Sequence, residues 1–443
     1  MENKREHIID IWVNICRFTL AAVFIFSGFV KAVDPLGTQY KIQDYLVAFG
    51  WMDFFPGIFP FLMSILLGIV EFCLGIYLFF GIRRRITPRA LTLIMAFMTP
   101  LTLWLAIDNP VQDCGCFGEA VVLSNWQTFA KNVMLLIASI SILKWRKRIF
   151  PLVTTRFDWL IAMYSFLFIL FIEGYCYYRL PLFDFRPYHI GANIREGMEI
   201  PEGKKPTRYE TVFVMEKQGI QKEFVAENYP DSTWKFVDSK LIVKEKGYEP
   251  AIKDFSILSQ EDGEDLTEQI LNDENYTFLL VAHQLNIADD SSIDLINELY
   301  DYCLDYGYSF YCLTSSSDED IWNWKESTAA EYPFCLMDNT TLRTMIRSNP
   351  GLILLKGGTV INKWGVNELP DEYQLSKSLE ELPIGQVNYH SMLYGTFKII
   401  AWFIFPLFFI CMADIFWERY KKRQRLLERE NEEMNIINPL NNK

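Results

Sequence analysis

The sequence predicts an α-helical membrane bundle that carries a soluble α/β domain on one side of the bilayer. Three observations predict it. The chain of 443 residues is 51% hydrophobic and holds 35 Phe and 12 Trp. Its apolar residues gather into five segments before about residue 180 and one near the C-terminus, each long enough for the roughly 20 residues that a bilayer core requires. The net charge of -13 comes almost wholly from the region between them, so the composition divides into an apolar half and an acidic later region. The acidic balance argues against nucleic acid as a partner, since phosphate neutralisation needs clustered Lys and Arg.

The six spans are expected at 11–31, 59–81, 88–107, 126–144, 157–178 and 393–416, after a short N-terminal segment, 1–10. Basic clusters sit at "GIRRRITPR", "KWRKRIF" and "ERYKKRQRLLERE", and six spans bring all three to one side. The opposite loops are poor in basic residues: 108–125 has none and 32–58 has only Lys41. Lys and Arg near span ends stay cytoplasmic, which predicts cytoplasmic termini and places 32–58, 108–125 and about 179–392 outside the cytoplasm. "SGFVKAVDP" after the first span offers no small-residue cleavage site, so that span reads as a retained helix. The tail, 417–443, reads as a solvated helix of mixed charge whose basic cluster can touch anionic headgroups.

The loop between the third and fourth spans contains "DCGCFGE", in a compartment where disulfides form and persist. A disulfide between Cys114 and Cys116 closes a very small ring, and Gly115 is the residue able to take the backbone angles it needs. Such a bridge is a poor staple, because crosslinks that restrict the unfolded chain close longer loops. It suits exchange, because strained and exposed disulfides are the more oxidising ones. Two unrelated thiols in a tight loop, or a metal clip, remain as alternatives. The metal reading lacks ligands: of four His, His7 is cytoplasmic, and His189, His283 and His390 are scattered. No metal is expected.

Ionisable residues inside the spans usually face a bundle interior or an aqueous cavity. Glu71 near the middle of the second span and Arg17 in the first fall at similar depth and are candidates to pair; Arg17 snorkelling to headgroups is the plainer reading. Lys31 and Asp34 flank the outer end of the first span, where a cation would stabilise a thiolate. Cys16, Cys73, Cys176 and Cys411 read as small hydrophobes.

Residues 10–145 resemble the MauE/DoxX group of redox-associated membrane proteins, through "CRFTLAAVFIFSGFVKAVDP", "GIVEFCLGIYLFFGIRRR" and "DCGCFGEAVVLSNWQTFAKNVMLL". The resemblance implies a four-helix core, here 11–145, to which the spans at 157–178 and 393–416 are added. MauE-type proteins are implicated in forming or handling disulfides in an exported partner. By that resemblance Cys114 and Cys116 are the redox candidates.

Outside the bundle, 179–249 begins as an aromatic and Pro-rich linker, and then "RYETVFVMEK", "QKEFVAEN" and "STWKFVDSKLIV" alternate as a small antiparallel sheet. From 250 to 392 the pattern is mixed α/β. "NYTFLLVAH" and "YSFYCLT" read as buried strands, with "SSIDLINELYDYCLDYG" an amphipathic helix between them. "SNPGLILLKGGTVINKW" reads as a hairpin turning at "KGG". That order is the order of the thioredoxin fold, and the segment resembles TlpA-type thioredoxin-like domains. The resemblance implies a cis-proline at Pro350, beside Asn349. It also implies a CxxC after the first central strand, but "HQLNIADDSS" stands there without cysteine. Dithiol catalysis of the usual kind is therefore excluded in this domain. Cys303 and Cys312 are expected in its core. Cys335 in "YPFCLMDNT" is the one expected outside a buried element, hence a candidate reactive thiol, and His283 is expected as a solvated loop residue or a groove residue.

Together these readings predict an inner-membrane protein of a Gram-negative-like cell envelope, whose CGC pair exchanges disulfides with an envelope thiol protein or oxidoreductase. The CxxC-less domain would dock that substrate or partner. Onward transfer of electrons to a quinone follows only by analogy with other membrane bundles. The competing reading is a non-enzymatic membrane-anchored binding or assembly factor. A small-molecule transporter fits less well, because no broken helices or repeats stand at mid-membrane.

Overall fold

The structure is a computed structural model that describes residues 2–437 apart from 112, 218–219, 226–232, 246, 254 and 388. The chain forms two compact units, one of 1–186 with 388–443 and the other of 187–387.

The first unit opens with helices α1 (Glu2–Val33), α2 (Pro35–Ala48), α3 (Phe59–Phe80), α4 (Thr87–Asp108), α5 (Asn125–Lys144) and α6 (Asp158–Tyr178). Among the described residues, six helices are long and apolar enough to cross a bilayer: α1, α3, α4, α5, α6 and the C-terminal helix. The protein is an integral membrane protein. α2 corrects the expectation of a plain loop over 32–58. Pro35 stands at its first turn and the Asp34 side chain accepts from Gly37 N at 2.9 Å, which starts a helix there. At 14 residues α2 is too short to span, and the exposed Val47 in its last turn and Phe49, Trp51, Met52 and Phe54 after it suit the level of lipid headgroups.

α1 and α3 approach closely through small residues. A Cβ built on Gly28 would collide with the Phe72 backbone and lie 2.8 Å from the Gly68 carbonyl, so glycine lets the two backbones meet where a larger residue would force them apart. At the other end of α1, Arg17 is fully buried. Its Nε donates to Leu78 O at 2.9 Å, Nη2 to Phe79 O at 2.6 Å and Nη1 to Phe150 O at 2.8 Å. Those carbonyls lie in the last turn of α3 and the loop before α6, where a side-chain donor supplements the backbone bonds. Arg17 therefore neither pairs with Glu71 nor snorkels. Depth along the chain was legible, but the face of α1 on which Arg17 lies was not.

The second unit begins at once with pairing. Gly191 N donates to Val360 O at 2.7 Å, and Ile194 N to Gly358 O at 2.8 Å. After α7 (Ile194–Met198) come β1 (Arg208–Lys217), β2 (Ile220–Val225) and β3 (Lys235–Glu245), an antiparallel sheet in the order β2-β1-β3. The end of the expected strand "QKEFVAEN", 226–228, lies outside the described residues. Then follow β4 (Leu258–Ser259), α8 (Thr267–Leu271), β5 (Tyr276–Val281), α9 (Ile293–Tyr306), β6 (Ser309–Thr314), α10 (Asp318–Thr328), β7 (Phe334–Leu336), α11 (Asn339–Met345), β8 (Gly351–Lys356) and β9 (Thr359–Gly365). The sheet order is β4-β7-β6-β5-β8-β9, with β5, β6 and β7 parallel and β8 antiparallel to β5. Every residue of β5 is buried, as its unbroken apolar run requires. Gly357 and Gly358 both have positive φ, 55° and 69°, in the two-residue turn of the β8–β9 hairpin. The Asn349–Pro350 peptide is cis. Parallel β-α-β units over β5, β6 and β7 and a closing antiparallel β8–β9 hairpin make this unit thioredoxin-like.

Helix α12 (Tyr389–Ile437) returns to the first unit. The Asp414 carboxylate accepts from Thr154 N at 2.9 Å and from the Thr154 hydroxyl at 2.5 Å, which ties α12 to the loop before α6.

Two expectations in the second unit are corrected. Cys335 lies in β7 and is 1% exposed; burial pushes its thiol up to about 11, away from reactivity. A strand of three residues directly after Pro333 leaves little periodicity to read. His283 is 8% exposed, not solvated. Cys303 and Cys312 are fully buried, in line with the sequence.

Candidate functional site

The loop of 109–124 is held at both ends before any cysteine chemistry enters. α4 stops at Asn109, whose left-handed backbone (φ 47°) is one that Asn tolerates better than most residues. The Asn109 side chain accepts from Asn125 Nδ2 at 2.7 Å, and that same amide donates to Val111 O at 3.0 Å. Ser124 and Gln127 form a capping box that starts α5. Between these anchors the chain turns at Gly115 (φ 65°), and Gly118 N donates back to Gly115 O at 3.1 Å. A Cβ on Gly115 would sit 3.1 Å from Lys41 Cγ as well as straining the backbone.

That turn brings the Cys114 and Cys116 sulfurs to 2.6 Å from each other, within a small movement of a disulfide bond of about 2.05 Å. Cys114 is buried against Leu105 and Val111, and Tyr45 of α2 donates to its carbonyl at 3.0 Å. Lys41, also of α2, pairs with Asp113 at 2.5 Å. So the helix that the sequence concealed covers the loop.

Beneath the loop lies a buried polar cluster. Lys31 Nζ donates to Glu71 Oε2 at 2.8 Å, to Ser27 Oγ at 2.7 Å and to the Cys116 carbonyl at 2.8 Å. The Ser27 hydroxyl is 2.7 Å from Glu71 Oε2 and 2.6 Å from Cys116 O. Lys31 and Glu71 are 5% and 6% exposed. Removed from water, the pair holds because each charge has the other and the three ammonium donors of Lys31 each have an acceptor. A cavity of about 30 Å³ adjoins it, lined in part by Ser27, Glu71, Cys116, Phe117, Lys131 and Asn132; that volume has room for a water or two. The Lys131 ammonium lies 4.1 Å from the centre of the Phe117 ring.

The two thiols are therefore unequal. The hydrogen bond from Cys114 holds the Cys116 thiol below the ordinary cysteine range against the effect of burial, and the charges of Lys131 and Lys31 add to the lowering. Cys114 is pushed up, first by donating that bond and then by burial. Cys116 is the one poised as thiolate, the form that attacks disulfides.

Of the residues singled out from the sequence, Cys114, Gly115, Cys116, Lys31 and Glu71 come together. Asp34 does not join them; it caps α2. Arg17 lies 14 residues from Lys31 along α1, roughly 21 Å at 1.5 Å per residue. Ser27, Lys41, Tyr45 and Lys131 went unremarked as site residues. The i, i+4 spacing of Ser27 and Lys31 on α1 was the available signal.

In the thioredoxin-like unit, His283, Asn349 and Pro350 also converge. Asn349 Nδ2 donates to Gln284 O at 2.8 Å, Ser315 Oγ to His283 O at 2.5 Å, and Leu285 N to Ser316 Oγ at 2.9 Å. Side chains thus occupy the loop that would carry a dithiol. Burial first, and the nearby Arg343 second, hold the His283 imidazole down to about 4. Cys335 stands apart, two strands away in the sheet.

Residues 9–144 match the family model described as methylamine utilisation protein MauE. The matched stretch contains the whole of the cysteine loop together with Ser27, Lys31, Glu71 and Lys131. Residues 209–246, the β1–β3 sheet, match a domain of unknown function. No curated protein matches the chain. Among solved structures, the chain is similar to the "Solution structure of a putative protein disulfide isomerase from Bacteroides thetaiotaomicron", at 15% identity and a TM-score of 0.25, over 32% of this chain and 91% of that one.

The MauE-matching bundle thus holds a sulfur pair in a clamped loop above a buried Lys–Glu–Ser cluster. If the lowered Cys116 thiol owes part of its state to Lys131, then Lys131→Gln raises its pKa. Alkylation of reduced Cys116 by iodoacetamide at pH 7 is expected to slow by about threefold to tenfold, and the midpoint of its pH profile to move up. An unchanged profile removes Lys131 from the site.

Proposed function

We propose that this protein handles thiol–disulfide exchange in the cell envelope through Cys114 and Cys116. The observation that carries the reading is the 2.6 Å approach of the two sulfurs across Gly115, in a loop where the Cys114, Gly115 and Cys116 carbonyls each accept a hydrogen bond. The MauE match supports a redox-associated membrane protein; the part played by the CGC pair is our own inference. The run of basic residues in the 81–89 and 144–148 loops supports a cytoplasmic face at that end of the bundle and a periplasmic cysteine loop, in an inner membrane.

In the oxidising direction, a thiolate of the partner attacks one sulfur of the Cys114–Cys116 disulfide. A mixed disulfide forms and the other sulfur leaves as a thiolate. A second partner thiolate then displaces the bridging sulfur. The partner ends as a disulfide, and the pair as a dithiol that has taken up two electrons. Cys116 is the less buried of the two, so the first attack falls on it, the mixed disulfide forms there and Cys114 leaves; in the reverse direction the same path runs backwards, with Cys116 as the attacking thiolate.

The test is mass-shift alkylation of cells with and without reductant. We expect an oxidised fraction in wild type that disappears in Cys114→Ser/Cys116→Ser, together with loss of function. Thiols that stay free in every condition, or full function in the double variant, would defeat the reading. That outcome would favour a non-enzymatic assembly factor, for which the buried cysteines and missing CxxC of the thioredoxin-like unit speak.

A further inference from the structure

The end of the bundle opposite the cysteine loop contains an open cleft of about 890 Å³, within the size range of small-molecule sites. Arg83, Arg84, Arg85, Arg89, Arg146 and Lys147 line it, with Asp158 as the one carboxylate in the lining. Consecutive side chains on a regular helix or strand diverge, yet three successive arginines border this one cleft. The loop achieves that with Gly81 and Arg83 both in the left-handed region, at φ 69° and 48°, a conformation that is uncommon for arginine.

Among the described residues, little besides Asp158 consumes these cations. Arg84 donates to Ile149 O at 2.8 Å and Arg83 lies over the Tyr77 ring at 5.7 Å. Arg148, the neighbour that does pair with acids, bonds Glu6 and Asp10 and is not part of the lining. Asp414, near Asp158, is engaged by Thr154. The first turns of α4 and α6 also border the cleft, and neither helix has a side-chain cap on its N-terminal amides. Helix N-termini favour anions. Excess guanidinium charge, two uncapped helix starts and a concave surface at the membrane boundary all ask for the same ligand.

We propose that this cleft binds a phosphate-bearing anion, held among Arg83, Arg85, Arg89, Arg146 and Lys147. Basic pockets between membrane helices hold anionic lipid headgroups, and a soluble phosphate compound presents the same chemistry. The site is independent of the cysteine loop and of the function proposed for it.

The test uses the purified full chain in neutral detergent, with native mass spectrometry as readout. Phosphatidylglycerol is expected to bind at least tenfold more tightly than phosphatidylcholine. Arg85→Gln/Arg89→Gln/Lys147→Gln should lose that preference, because Arg84 still holds Ile149 and the fold is kept. A tail variant, Lys421→Gln/Lys422→Gln/Arg423→Gln, should retain it. Inorganic pyrophosphate separates the sources. Binding of pyrophosphate without a lipid preference supports the site with a soluble ligand, and a lipid preference that pyrophosphate does not displace supports a headgroup site. The proposal is overturned if neither probe is bound more tightly than phosphatidylcholine, or if the tail variant loses as much as the cleft variant. The wild-type comparison of the three probes stands even if the cleft variant does not fold.

Discussion

Glu71→Ala is expected to destabilise the bundle by about 3–5 kcal/mol, because it leaves Lys31 buried without its counter-charge. Lys31 is 5% exposed, and among the described residues its ammonium bonds Glu71, Ser27 and the Cys116 carbonyl. A lone ammonium inside a membrane bundle cannot recover that loss from lipid. Unfolding of the purified chain in mixed micelles with rising SDS measures it. The double variant Lys31→Met/Glu71→Leu removes both charges and should regain most of the stability. Because Lys31 also helps to lower the Cys116 thiol, the double variant should alkylate at Cys116 more slowly than wild type at pH 7. A Glu71→Ala protein as stable as wild type would show that the cluster holds nothing.

Acidification is expected to weaken the thioredoxin-like unit through His283. Its folded pKa is depressed to about 4, against about 6.5 in an unfolded chain. Below pH 6.5 the unfolded state therefore binds the proton that the folded state refuses. Stability is whole above pH 6.5 and falls as the pH drops towards 4, by on the order of 3 kcal/mol across that window. Hydrogen exchange of the β5 and β8 amides in the full chain, corrected for the intrinsic pH dependence of exchange, follows it. His283→Gln should flatten the profile between pH 6.5 and 4. A wild-type profile already flat there would place the imidazole in water, against its 8% exposure.

Both predictions turn on residues whose identity was plain in the sequence and whose partners were not. Glu71 and Lys31 each stood out as charges at the edge or middle of apolar spans. The expected pairing was Glu71 with Arg17, argued from depth alone. Depth is a one-dimensional quantity, readable at 1.5 Å per residue. The face of a helix that meets a neighbour depends on packing, here on the close approach at Gly28, which turns Ser27 and Lys31 towards α3. Arg17, on the same helix, meets the end of α3 instead.

The thioredoxin-like order was legible because buried parallel strands read as unbroken apolar runs and a hairpin carries its Gly-Gly turn. Cys335 and His283 were misjudged for one shared reason. Each is placed by partners distant in the chain: Cys335 lies in a strand of three residues, too short to give a period, paired with Leu313, and His283 follows β5 in a loop, its carbonyl accepting from Ser315.

Composition and periodicity by themselves determined the six spans, the mixed α/β unit and the prominence of Cys114-Gly115-Cys116. These are local properties, since a bilayer imposes length and apolarity on each helix separately. Tertiary structure alone decided that α2 covers the cysteine loop, that Lys31 joins Glu71 beneath it, and that Cys116 rather than Cys114 has the lowered thiol. Those outcomes depend on which charges and hydrogen-bond donors come within a few ångströms across the bundle, and no spacing along the chain encodes that distance.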